Sequence, residues 1–186
     1  MLFNIRGIAG ASMADVSEAT GLEKGGVYNH FATKEELSVA AFEYAAALVR
    51  ERIETSLSSK TNALERLRAF LDTYRSTSEW PLMKGGCPLM NTAIEADDTN
   101  PELRRRAKIA IEGWRARLES ILEEGVRREE IRPVDCAATA SAIVATVEGA
   151  VMLAKVYGDR SHLDAGLDHL ENHLGSLERR PRAVAR

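Results

Sequence analysis

Hydrophobic positions recur at helical spacing along almost the whole chain. Leu103, Ala107, Ala110, Trp114, Leu118, Ile121 and Gly125 follow one another at steps of three and four, the period of a helix face that seats on a neighbour. Leu163, Leu167, Leu170, Leu174 and Leu177 make a second clean stripe, and Leu64, Leu67, Leu71 and Tyr74 a third. Leu37, Ala41, Ala45, Leu48 and Leu57 approximate a fourth, on a long helix running out of the N-terminal region. Between the seam and the leucine stripe lies a segment dominated by Ala137, Ala138, Ala140, Ala142, Ile143, Ala145, Val147, Gly149, Ala150 and Val151. Its small side chains allow helix axes to approach closely, and it is predicted to be nearly all buried. No stretch alternates with a period of two, so the predicted fold class is all-α without strands.

The punctuation between stripes agrees. Ser12 is placed to cap a short helix that Gly21 ends in the left-handed conformation. Thr33-Lys34-Glu35-Glu36 reads as a capping box, Asn100 caps a helix with Pro101 at its first position, and Asp135 caps the alanine-rich segment. The third stripe must break before Trp80-Pro81, because proline cannot continue a helix. Gly85-Gly86-Cys87-Pro88 reads as a flexible hinge before a helix whose apolar side is Leu89, Met90, Ala93 and Ile94. Leu2, Phe3 and Ile5 read as the last turn of an apolar-faced helix ended at Gly7, with its earlier turns and any basic arm expected upstream of the sequence.

Residues 12–31 demand a particular small structure. A helix carrying Val16 and Ala19 turns at Gly21-Leu22 into a second helix, which directs Val27 and Phe31 inward and leaves Lys24, Tyr28, Asn29 and His30 outward. This is the pattern of a helix-turn-helix, whose second helix enters a DNA major groove. Gly25 and Gly26 each cost about 1 kcal/mol of helix propensity relative to Ala. Gly21, Lys24-Gly25, Tyr28, His30-Phe31 and Lys34-Glu35 resemble the signature of the TetR family of transcriptional regulators. Glu23 and Gly26 depart from it, since the family usually has hydroxyl residues there, and one phosphate-holding hydroxyl is missing. GCPLMNTAIEADDTNPELR, beginning at Gly86, resembles a recurring C-terminal subtype of the same family.

That resemblance implies a helix-turn-helix domain over residues 1–46, a helical ligand-binding and dimerisation domain over 47–178, and a basic, disordered tail over 179–186. Ser12, Tyr28 and Lys34 would meet phosphates, Lys24, Asn29 and His30 would lie at or near base edges, and Gly25 and Gly26 belong to the same docking helix. The last two helices, both strongly apolar, pair again with their twins in a homodimer, which holds two recognition helices roughly 34–36 Å apart on a palindromic operator. Phe70, Tyr74, Trp80, Met83, Met90, Trp114 and Met152, with Tyr157, form the candidate box for a small hydrophobic effector that releases the repressor. The alternative is a helical ligand-binding dimer that has lost DNA binding.

Composition changes the picture little. With 186 residues and 45% hydrophobic content, the chain buries a sizeable core. The net charge of −3, with Asp and Glu outnumbering Lys and Arg in the first forty-odd residues, runs against the basic footprint of a DNA binder and confines positive charge to a docking surface. No run approaches the roughly 18 apolar residues of a membrane span and no signal peptide is recognisable, so a cytoplasmic address without membrane contact is expected. Cys87 and Cys136 form neither a disulfide framework nor a zinc motif. Cys87 as an oxidation sensor and His162, His169 and His173 as metal ligands are the weaker readings of those residues, so no metal or cofactor is expected. No nucleophile elbow, phosphate-cradling loop or paired-metal motif points to an enzyme, and Glu95, Asp97 and Asp98 read as surface or capping carboxylates.

Overall fold

The structure is a computed structural model that describes residues 1–77 and 80–179, with the side chain of Lys24 also outside the description. Among these residues it is all-α. The helices are α1 (Leu2–Arg6), α2 (Met13–Thr20), α3 (Lys24–His30), α4 (Lys34–Ser58), α5 (Ala63–Arg75), α6 (Pro88–Ala96), α7 (Pro101–Arg127), α8 (Cys136–Tyr157) and α9 (Ser161–Leu177), with a 3-10 turn over Pro81–Gly85 before α6. No strand forms among the described residues, although an antiparallel bridge pairs Ile131 with Glu178.

The helix ends follow local chemistry. Ser12 and Asp15 close a reciprocal capping box and Gly21 sits at φ 69. Asn100 Oδ1 accepts the Leu103 N–H at 3.0 Å, and Asp135 Oδ1 accepts the Ala138 N–H at 2.9 Å. The box at α4 is shifted: Thr33 Oγ1 accepts the Glu36 N–H at 3.1 Å, but the Glu36 carboxylate reaches past Thr33 to the Ala32 N–H at 2.8 Å. The buried spine of α4 is Phe42, Ala45, Val49, Ile53 and Leu57, while Leu37, Ala41 and Leu48 are half-buried.

Two compact units make up the chain, one of residues 1–51 and 77–112, the other of residues 52–76 and 113–186. In the first, α1 and the α1–α2 loop are tied to the segment around α6. Asn4 Nδ2 donates to the carbonyls of Leu82 and Gly86 at 2.8 and 2.9 Å, and Asn91 Nδ2 donates to Asn4 Oδ1 and the Gly85 carbonyl at 2.8 Å each. A Cβ on Gly85 would collide with the Asn4 backbone. Gly85, Gly86, Cys87 and Pro88 are all buried, so the expected flexible hinge is a packed, hydrogen-bonded corner whose glycine admits a neighbouring backbone. Pro88 does open α6, but Ile94 is 70% exposed because the helix buries Leu89 and Ala96 instead.

The second unit holds an α8–α9 hairpin flanked by α5. All five leucines of the α9 stripe are buried. Gly166 lets α9 close on α8, since a Cβ there would crowd that of Ala150. Arg68–Glu171 and Arg75–Asp168 ion pairs, at 2.7 and 2.8 Å, join α5 to α9. α8 departs from expectation. It buries Ala140, Ile143, Val147, Ala150 and Val151, but Ala138, Ala142, Ala145, Met152, Leu153 and Val156 are exposed, because one hairpin partner covers one face only. By length and composition α8 is apolar enough to cross a membrane, with mean hydropathy 1.7 in its best window. Its apolar character is spread over small residues, and Thr139, Ser141, Thr146 and Glu148 interrupt it, so it holds no unbroken apolar run of that length. Arg179, expected in the loose tail, donates its N–H to the Glu130 carbonyl and pairs with Glu129; residues 180–186 lie outside the described residues.

Candidate nucleic-acid interface

The corner of α2 and α3 is built on a small apolar cluster. Met13 and Val16 from α2 and Val27 from α3 are buried together, with Leu2, Phe3 and Leu37 packed against them. Val27 is the residue of α3 that faces in; Phe31, just past its end, is half-buried. Ala19 and Leu22, expected inside, are exposed, Leu22 at 50%. The cluster draws instead on Met13 and on α1, so the turn needs no apolar plug.

The outward face of α3 is as the sequence predicts where it is described. Tyr28 is 45% exposed, and Asn29, His30 and Gly25 are exposed beside it. The side chain of Lys24 lies outside the described structure. A Cβ on Gly25 would meet nothing within 4 Å, and one on Gly26 only the Leu22 Cβ at 3.9 Å. Packing within the chain therefore explains neither glycine. Glu23 makes no side-chain cap; its carbonyl accepts the Gly26 and Val27 N–H groups at 2.8 and 3.2 Å.

Ser12 and Lys34 lie at the starts of α2 and α4. The Ser12 hydroxyl is engaged locally, donating to Asp15 Oδ2 at 2.6 Å while it accepts the Asp15 N–H at 3.1 Å. These hydrogen bonds from Ser12, side chain first and backbone next, hold the Asp15 carboxyl below its ordinary value of 3.8, with Arg6 adding to the effect. Lys34 is the first residue of α4 and is half-buried, its Nζ at 3.4 Å from the Ala9 carbonyl.

Sequence reasoning missed what supports the corner from behind. The Glu95 carboxylate on α6 accepts the Ile8 N–H at 2.8 Å and the Ala9 N–H at 2.7 Å. With the Asn4–Asn91 contacts, this fixes α1 and the α1–α2 loop through residues 78 to 87 positions away. Glu95 does act as a cap, but of a distant loop, and no local pattern signals such a pairing.

A family model for bacterial regulatory proteins of the tetR family matches residues 1–41, and one for the tetracyclin repressor-like C-terminal domain matches residues 63–170. The chain belongs to the TetR family. It is a helix-turn-helix transcriptional regulator and not an enzyme, and the TetR family binds DNA as dimers through such corners. The TetR regulator from Chloroflexus aurantiacus is 46% identical, with a TM-score of 0.91 over 97% of this chain and 91% of that one. A TetR-family regulator from Cytophaga hutchinsonii is 34% identical, with a TM-score of 0.86 over 97% and 90%. An uncharacterized HTH-type transcriptional regulator of Mycobacterium tuberculosis is 26% identical over 94% of this chain and 89% of its own length.

The candidate effector residues of this TetR chain fall in both units. Phe70, Tyr74 and Trp114 come together as an aromatic cluster, Phe70–Tyr74 tilted with centroids 5.3 Å apart and Tyr74–Trp114 edge-to-face with centroids 6.3 Å apart. Met83 is buried and Trp80 and Met90 half-buried in the other unit. Met152 is 43% exposed, because the α8 register that buries Ala150 and Val151 turns it outward. Tyr157, also exposed, stacks on His162 with ring centroids 4.7 Å apart. An open groove of about 590 Å³ lies along α6 and α7 and is lined by none of these residues; its Arg104, Arg105 and Lys108 are paired with Asp97, Glu102 and Glu112. Among the described residues no cluster of three or more potential metal ligands occurs. Cys87 is buried, and burial raises the Cys136 thiol, with Glu123, Asp135 and Glu119 adding to the rise.

Proposed function

We propose that this chain is a homodimeric repressor that reads a palindromic operator in the cytoplasm and is released by a small hydrophobic effector. The carrying observation is the outward face of α3, where Gly25, Tyr28, Asn29 and His30 stand exposed around a single inward Val27. On this reading Tyr28, Ser12 and Lys34 contact phosphates, and Lys24, Asn29 and His30 lie at base edges. Gly25 and Gly26 let the helix backbone approach the DNA, which supplies the role that packing within the chain does not.

Dimerisation follows from the uncovered small-residue face of α8, which a twin hairpin would bury in a four-helix interface. The Phe70–Tyr74–Trp114 cluster is the favoured effector contact, since its rings are the part of the candidate box that touch one another. Repression rather than activation follows the family resemblance.

The test is binding to DNA from the chain's own promoter across a salt series. Specific binding that falls steeply with salt is expected. Tyr28→Ala should weaken it by about tenfold, the size of a lost charge-assisted contact, while sedimentation still reports a dimer. Unchanged affinity in that variant would remove α3 as the docking surface.

A further inference from the structure

Ala9 is held from two sides. Its N–H donates to Glu95 on α6 at 2.7 Å, beside the Ile8 N–H to the same carboxylate at 2.8 Å. Its carbonyl faces Lys34 Nζ at the start of α4, at 3.4 Å. The loop between has little freedom of its own. Gly7 ends α1 at φ 76, and a Cβ there would sit 3.1 Å from Glu95 Oε1, so the carboxylate is seated closely against the loop backbone. Asn4 and Asn91 secure α1 to the same segment that carries Glu95.

We infer that Glu95 is a positioning residue for operator binding: by clamping Ile8 and Ala9 it fixes the carbonyl that orients the Lys34 ammonium toward a DNA phosphate. The inference rests on the DNA-docking reading above and goes beyond it. It assigns a function to an α6 carboxylate whose two oxygens accept the Ile8 and Ala9 N–H groups. A positioning role also differs in sign from a purely electrostatic one. An acidic side chain near a DNA-facing surface repels phosphates, so if Glu95 acted only through charge, neutralising it would tighten binding. As a clamp, its removal weakens binding.

The experiment is a double-mutant cycle on the full-length dimer, with operator affinity measured by fluorescence anisotropy over a salt series. Sedimentation and circular dichroism monitor assembly and fold. Lys34→Ala should weaken binding and reduce the salt slope by about one. Glu95→Ala should weaken binding about three- to tenfold, a coupling in the range seen for residues sharing a network. The double variant should bind no more than about twofold worse than Lys34→Ala alone, because the clamp acts through Lys34. Glu95→Gln keeps one acceptor oxygen without the charge and guards against a misfolded Ala variant; it should fall between wild type and Glu95→Ala. Tighter binding by Glu95→Gln, or fully additive losses in the cycle, overturns the positioning role. A Lys34→Ala protein that binds like wild type removes the phosphate contact itself and the inference with it. No specific operator binding by the unsubstituted dimer removes the DNA reading on which both stand.

Discussion

Two helix faces exposed among the described residues, one on α3 and one on α8, differ sharply in chemistry. On α3 the exposed positions are Gly25, Tyr28, Asn29 and His30, polar or without a side chain, over an inward face supplied by Val27. On α8 they include Ala138, Ala142, Ala145, Met152, Leu153 and Val156, a largely apolar set beside the exposed Ser141, Lys155 and Tyr157, over a well-packed face seated on α9. A polar face with donors and acceptors is solvated at no cost and can exchange water for phosphates and base edges. A small apolar face offers nothing to water and gains only by meeting another apolar surface. Exposure alone therefore says little about function; the chemistry of what is exposed separates the surface proposed to read DNA from the one proposed to meet a twin.

The largest effect is expected on α8. Placing Arg at Ala142 or Val156 should convert the dimer to a monomer by sedimentation and reduce operator affinity by about two orders of magnitude or more, as the second half-site is lost. A variant that stays dimeric would assign the interface to another surface. The effect on the hairpin itself should be small, since both positions are exposed within one chain.

A smaller and two-signed effect is expected on α3. Gly25→Ala has free space for its methyl group and should stabilise the corner by up to about 1 kcal/mol through helix propensity. If the backbone approaches DNA there, the same substitution weakens operator binding several-fold. Thermal denaturation and anisotropy on one preparation measure both, and a gain in stability with unchanged affinity would show that the glycine has no docking role.

The smallest effect is local. The Asp15 carboxyl is held below 3.8 by Ser12 and then Arg6, so the folded state binds the proton more weakly than the unfolded chain. The stabilisation this gives to the α2 N-terminus is present above 3.8 and is lost as pH falls through the lower folded value. The Ser12 amide resonance should titrate with a midpoint below 3.8, and a midpoint at or above it would show that the capping box does not hold the ionised form.

Much of this architecture was legible because its causes are local. Ser12, Gly21, Asn100 with Pro101, and Asp135 end or begin helices through bonds reaching two to four residues, and the α7 and α9 stripes are read from spacing alone. The outward placement of Tyr28, Asn29 and His30 on α3 was legible too, because the inward Val27, four residues before Phe31, fixes the phase of the helix. Errors arose where a partner distant in sequence decides. Leu22 and Ile94 were expected inside because they are apolar, yet the core places other residues against those faces. Gly85-Gly86 looked like a hinge because glycine is permissive, whereas here the missing side chain makes room for Asn4.

The sequence by itself therefore determined an all-α chain, several of its helix starts and ends, and a helix-turn-helix with a defined outward face, since propensity, caps and periodicity act within a few residues. Only the tertiary structure decided that Glu95 caps the α1–α2 loop, that Asn4 and Asn91 clasp the corner, that Phe70, Tyr74 and Trp114 cluster, and that α8 keeps one largely apolar face bare. The reason is physical. Each of these depends on which segments meet after long loops close, and helical periodicity states that a face needs a partner without stating which one.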